Sequence, residues 1–123
     1  MADGGSDGRV ELAARADEDG IEFFLAMFVD LHGKPCAKAV PRASLDMLMD
    51  GGAGFAGFAA GDLGQSPADP DMTVLPDAAS YTRVPWMNGV AVLHCDPLVG
   101  GEPWPYAPRV ILKRQLAQLE SSR

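Results

Sequence analysis

The chain has 123 residues, 47% of them hydrophobic, with seventeen acids against ten bases and a formal net charge of -7. That is enough for one globular domain. An acidic chain without a basic cluster is a poor partner for nucleic acid, whose phosphates need grouped Lys and Arg, and for an anionic membrane surface. No apolar run approaches the roughly 20 residues that span a bilayer, and "MADGGSDG" lacks the basic and apolar character of a signal sequence, so a cytoplasmic protein is expected. Cys36 and Cys95 stand far apart without a C-x-x-C pattern, and a domain of this size needs no disulfide staple.

Residues 1–8 are small, acidic and glycine-rich and read as a frayed start. In "RVELAARADEDG" a short helix shows a modest apolar face of Val10, Leu12 and Ala13, stopped by "DEDG", so residues 1–18 form a leading segment. The domain proper is expected over residues 19–123. "IEFFLAMFVD" is almost continuously apolar and suits a central strand covered on at least one face. "DLHGKP" turns around Gly33, and "PCAKAVP" returns as a second strand with Cys36, Lys38 and Val40 on one side. Pro41 closes that strand, and "RASLDMLMD" carries Leu45, Leu48 and Met49 at helical spacing, with Ser44 a candidate cap.

Next comes "GGAGFAGFAAGDLG", Gly51 to Gly64, in which Gly52, Gly54 and Gly57 spell G-x-G-x-x-G. A dinucleotide turn needs a strand before the glycines and a helix after them. Here a helix precedes and "AAGDLGQSPADPD" follows, with the glycines and prolines of a loop, so the order is wrong for a nucleotide. "DMTVLPD" holds a short strand ended by Pro76, "YTRVPW" a brief extended piece, and "GVAVLHCDP" a strand with Val90, Val92 and His94 alternating against Ala91, Leu93 and Cys95. "LVGGEPWPYAP" reads as an extended proline-rich loop. "RVILKRQLAQLE" closes the chain as a helix opened by Pro108, with Val110, Leu112, Leu116 and Leu119 in register. A hairpin, a helix, further strands and a terminal helix make a small mixed sheet with packed helices, an α+β domain.

Catalytic chemistry is hard to assemble from these residues. His32 lies in a turn, and the neighbours His94 and Cys95 point to opposite faces of a strand, so they cannot chelate one ion together. No metal-ligand spacing and no Ser–His–acid or Cys–His set is legible, and no catalytic or metal residue is assigned. Asp62, Asp69, Asp71 and Asp77 around the glycines read as solvated or turn-forming acids. Trp86 in "VPW" and Trp104 in "EPWP" suit either core anchors or partner contacts.

From Phe28 to Glu120 the chain resembles the N-terminal β-grasp domain of the glutamine synthetase family. "FVDLHGKPCAKAVP" is similar to the family's first hairpin, and "DMTVLPDAASYTRVPW" to its strand-Pro-Asp segment running to Pro-Trp. "VAVLHCDPLVGGEPWPYAPRVILKRQLAQLE" resembles the next strand, its glycine-proline loop and the "PR" that opens a helix. The resemblance implies an enzyme that uses ATP and a divalent metal, Mg or Mn, to convert glutamate to a γ-glutamyl phosphate that ammonia displaces. It implies a homo-oligomeric ring in which this domain closes the active site of the neighbouring subunit. ATP and metal would be held by a larger C-terminal domain absent from this chain, which alone would be inactive and bind no cofactor.

In that comparison Gly54, Phe55, Ala56, Gly57 and Phe58 form the amine-site segment, with Gly54 as its hinge, where glycines allow close backbone approach. Ala56 stands where an "FDGSS"-like stretch carries an Asp that helps bind ammonium, and "GAGFAGFA" is similar to γ-glutamylmethylamide synthetase-like ligases. A methyl group for a carboxylate suits an alkylamine. Asp50 is a more distant candidate for the missing carboxylate, and Trp86 and Arg109 are assigned to packing or subunit contact. The alternatives are a free-standing β-grasp binding module and a non-catalytic regulatory subunit of a ligase ring. The last helix, which meets no glycine stop before "SSR", suits a cut chain or incomplete reading frame better than either.

Overall fold

A computed structural model describes residues 8–55 and 71–122. Of residues 1–8, expected to fray, 1–7 lie outside the described residues and Gly8 stands at the N-cap of the first helix. Helix α1 (Arg9–Glu18) buries Leu12 and Ala16. These residues are four apart and share one face, whereas Val10 points away and is 75% exposed. Of the expected apolar face, Leu12 is buried and Ala13 packs against the core, Val10 is not part of it, and Ala16 joins it. Where α1 ends, the Tyr81 hydroxyl donates to Asp19 Oδ2 at 2.6 Å, and the Arg15 guanidinium lies 4.4 Å from the Tyr81 ring centre. Burial, reinforced by the Asp19 hydrogen bond and charge, pushes the Tyr81 hydroxyl up to about 12.

Strands β1 (Phe23–Val29) and β2 (Pro35–Pro41) form the expected antiparallel hairpin, with Phe24 opposite Val40, Ala26 opposite Lys38 and Phe28 opposite Cys36. Phe24, Ala26 and Phe28 are buried while Phe23 and Val29 are exposed, so β1 is covered on one face. The turn is folded by a carboxylate: Asp30, 4% exposed, accepts hydrogen bonds at 2.9 Å from the backbone N–H groups of His32 and Lys34. These two bonds satisfy the buried carboxylate, and the Gly33 amide closes the turn separately by donating to the Asp30 main-chain carbonyl at 3.0 Å.

A single 3-10 turn, Arg42–Ser44, runs straight into helix α2 (Leu45–Gly51). Ser44 stands at the N-cap position as expected but makes no side-chain cap bond, and the Leu45 amide donates to the Arg42 carbonyl. The sequence expectation of a loop from Gly51 onward also needs correction. Gly51 is the last helical residue, and Ala53–Phe55 form strand β3, paired antiparallel with β4 (Met72–Pro76). The reversal between helix and strand falls on Gly52, at φ 77 and ψ 178. That region is essentially closed to residues with a Cβ, and a Cβ on Gly52 would lie 2.6 Å from the Val74 carbonyl oxygen.

After a 3-10 turn at Ala78–Ser80, capped by Asp77, come β5 (Thr82–Arg83), β6 (Val90–Val99), β7 (Glu102–Pro103) and α3 (Pro108–Ser121). The sheet order is β2-β1-β6-β4-β3, with β5 and β7 added along β6. β1 and β6 are parallel and the other pairs antiparallel. β6 runs two residues beyond Pro97, where the proline-rich loop was expected to begin. Pro97 is tolerated because its carbonyl, and so the side where its N–H would have been, faces Trp104 rather than β4. The core gathers Leu12, Ala16, Phe24, Phe28, Leu48, Met72, Val74, Leu93 and Cys95 between the sheet and α1 and α2. This is a β-grasp-like α+β fold, as the sequence predicts. Among the described residues no helix is long and apolar enough to cross a membrane.

Two measurements follow. Gly52→Ala should lower unfolding stability in urea by about 3 kcal/mol, while Gly54→Ala, with open space at its Cβ, should change it little. Tyr81 should contribute stability that is complete below its unfolded pKa near 10 and is lost as pH rises toward about 12. An alkaline unfolding scan of Tyr81→Phe should lack that loss.

Candidate functional site

Strands β2 and β3 occupy opposite ends of the sheet order, yet the sheet curls until they face each other. Lys38 spans the gap. Its cross-strand neighbour on β1 is Ala26, a buried residue small enough to leave room beside it on the same face. The Lys38 Nζ donates to the Gly54 carbonyl at 2.7 Å and lies 5.8 Å from the centre of the Phe55 ring. Phe55 in turn stands edge-on to Phe28, with ring centres 5.2 Å apart and planes at 88°. Such T-shaped pairs are favoured by the ring quadrupoles. Beside this bridge a cavity of about 230 Å³ opens between β2, α2 and β3, lined by Lys38, Val40, Ser44, Met47, Leu48 and Gly54 among others.

Of the amine-site segment read from the sequence, Gly54 and Phe55 lie in this place, on the outermost strand of the sheet. Ala56, Gly57 and Phe58 lie outside the described residues. Gly54 is a paired strand residue opposite Thr73 rather than a hinge, and the glycine-only backbone belongs to Gly52. The reason is local: the chain must reverse at the helix end, whereas Gly54 is already in the ladder. Asp50 is not a free carboxylate, since Arg9 pairs with it at 2.6 Å on the α1 side of α2. Lys38 was not singled out as a site residue from the sequence. Its one signal was a lone lysine in an apolar strand, on the face shared with Cys36 and Val40.

The remaining candidates fall into the scaffold. Asp77 accepts from the Ala79 amide and pairs with Arg109 at 2.9 Å; Asp62 and Asp69 lie outside the described residues, and Asp71 is exposed. His32 is exposed in its turn, and the His94 amide donates to the Ser80 hydroxyl at 2.8 Å. Cys95 points into the core, where burial pushes its thiol up to about 12. The two tryptophans part company: Trp104 is buried, and Trp86 is 83% exposed. Among the described residues no group of three or more His, Cys, Asp or Glu is placed to hold a metal ion.

Over 103 residues the chain is 41% identical to a glutamate–methylamine ligase of Methyloversatilis universalis, and over 110 residues 40% identical to a glutamine synthetase of Rhizobium meliloti. These matches cover 83% and 89% of the chain but 23% and 25% of the relatives. Among solved structures, the ADP complex of GmaS, a glutamate–methylamine ligase, matches 90% of the chain at 47% identity with a TM-score of 0.85. GmaS without ligand matches 87% at 48% identity with a TM-score of 0.81. The chain is an N-terminal domain of the glutamine synthetase family. No family model matches it. It spans about a quarter of the length of the relatives it matches.

In this glutamine synthetase-family domain, helix α3 is fixed to the sheet chiefly by charge. Arg109 donates to Asp96 at 2.8 Å and to Asp77 at 2.9 Å, and Lys113 pairs with Asp96. Burial alone would raise the Asp96 carboxyl, but the hydrogen bonds and charges of Lys113 and Arg109 outweigh it and hold the group below its usual value. A depressed carboxyl stabilises the fold above its unfolded pKa and loses that contribution as pH falls through the folded value. Arg109→Met should therefore lower the urea midpoint at neutral pH, and the deficit should shrink as pH falls through about 4 and below.

Proposed function

We propose that this chain is the N-terminal part of an ATP-dependent glutamate–amine ligase, and that Gly54, Phe55, Ala56, Gly57 and Phe58 complete the amine end of a neighbouring subunit's active site. The observation that carries the proposal is the pairing of 41% identity to a glutamate–methylamine ligase with Ala56 at the family's acidic position. An alanine there removes the charge that would hold ammonium and offers a methyl surface to an alkylated amine. Glutamate, ATP and Mg or Mn would bind to the remaining three-quarters of the enzyme. The β2–β3 bridge supports the reading, because it gives the segment a rigid base on the sheet rather than on a free loop. A homo-oligomeric cytoplasmic enzyme follows from the same reading.

A second reading rests on Trp86, exposed beside Pro85. It makes the domain a non-catalytic module or regulatory subunit that docks on a ligase ring through this aromatic. It requires that the isolated 123-residue chain bind an intact ligase and alter its activity, and that Trp86→Ala abolish the effect.

The primary reading is tested by joining this chain to the remaining three-quarters of the Methyloversatilis universalis ligase in place of that enzyme's own N-terminal quarter. The hybrid should ligate methylamine to glutamate. Ala56→Asp in the hybrid should move the ratio of kcat/KM values for methylamine and ammonia toward ammonia by about tenfold or more. An unchanged ratio would sink the assignment of Ala56.

A further inference from the structure

We propose that Lys38 is a positioning residue for Gly54 and Phe55, where the glycine segment begins, an inference that rests on the ligase reading above. Three observations converge on it. β2 and β3 share no backbone ladder, so the Lys38 bond to the Gly54 carbonyl is a side-chain tie between the two ends of the sheet. That carbonyl faces the outer edge of β3, where no strand among the described residues pairs with it. The ring of Phe55, which immediately precedes Ala56 in the chain, is held between Phe28 and the Lys38 ammonium.

The energetics favour a local role over a global one. Lys38 is exposed, and the rotamer freedom lost in holding its long stem largely offsets the gain from one solvent-facing charged hydrogen bond. The tie therefore adds little to unfolding stability. What it sets is the position of the Gly54 carbonyl and of the Phe55 ring at the end of β3. Displacements of about an ångström in a substrate-positioning element are enough to cost large factors in turnover. Methionine is the informative substitute, since it keeps the length and the contact with an aromatic ring but has no proton to donate.

The test uses the same hybrid enzyme. Lys38→Met should raise KM for methylamine about tenfold with kcat changed less than about twofold. Lys38→Arg, which retains donors, should recover part of the loss. Lys34→Met, which removes the same charge from the nearby turn, should behave as the parent. In the 123-residue chain, Lys38→Met should leave the urea midpoint close to that of the parent. A KM for Lys38→Met equal to that of Lys34→Met overturns the assignment. So does a fall in stability with kcat and KM both impaired and no rescue by arginine, since that pattern belongs to a structural residue. If Ala56→Asp shifts amine preference while Lys38→Met does nothing, only the Lys38 assignment fails. A folded, assembled hybrid inactive with both amines removes the ligase reading and the Lys38 assignment together.

Discussion

The fold depends on strand β6 serving two sets of partners along its length. Its first half lies parallel to β1 and antiparallel to β5, and its second half antiparallel to β4 and β7. To do this it must bury every second residue without bulk, and the file Ala91, Leu93, Cys95 and Pro97 meets that demand. Cys95 is part of this file, and a thiol so strongly disfavoured as thiolate acts as a small apolar spacer. With β6 in place, β1 and β4 fall on either side, and the hairpin and β3 are carried to the two ends.

Those two ends make the site. Helix α2 bridges them: it leaves β2 through one 3-10 turn and delivers the chain, by the reversal at Gly52, to β3. The close approach of Gly52 to the Val74 carbonyl sets how near α2 sits to β4, and therefore how far β3 stands from Lys38. Gly52, itself part of the cavity wall, thus bears on the width of the cavity beside Lys38 and Gly54.

Much of this was legible in the sequence, for identifiable reasons. The β1–β2 hairpin, the alternation in β6 and the Pro108-opened helix each had a strong local signature. The family was legible from motif order. β3 was hidden because three residues, one of them glycine, are too few to show an alternation. The end of β6 was misplaced because a proline ordinarily ends a strand, and only the pairing geometry reveals that its missing N–H faces away from β4. Arg109 and Asp96, thirteen residues apart, meet only after a hairpin and a turn, which no local pattern encodes. The tryptophans were evenly balanced in sequence, since both stand beside proline, and only the packing separates them. Lys38 was invisible for the same reason: its partner is a backbone carbonyl on a strand that had not been foreseen.

The parallel pairing of β1 with β6 has a kinetic meaning. Phe23 must meet Val90, so the central pair of the sheet joins segments separated by most of the domain. The β1–β2 hairpin and α1 can form from neighbouring residues, but the pair that unites the core must wait for a large loop to close. During synthesis the apolar face of the hairpin is therefore made well before its cover. The charged residues that flank it, exposed Lys34 at the turn and Arg42 with Asp17 at the other end, then guard a half-built sheet against premature association.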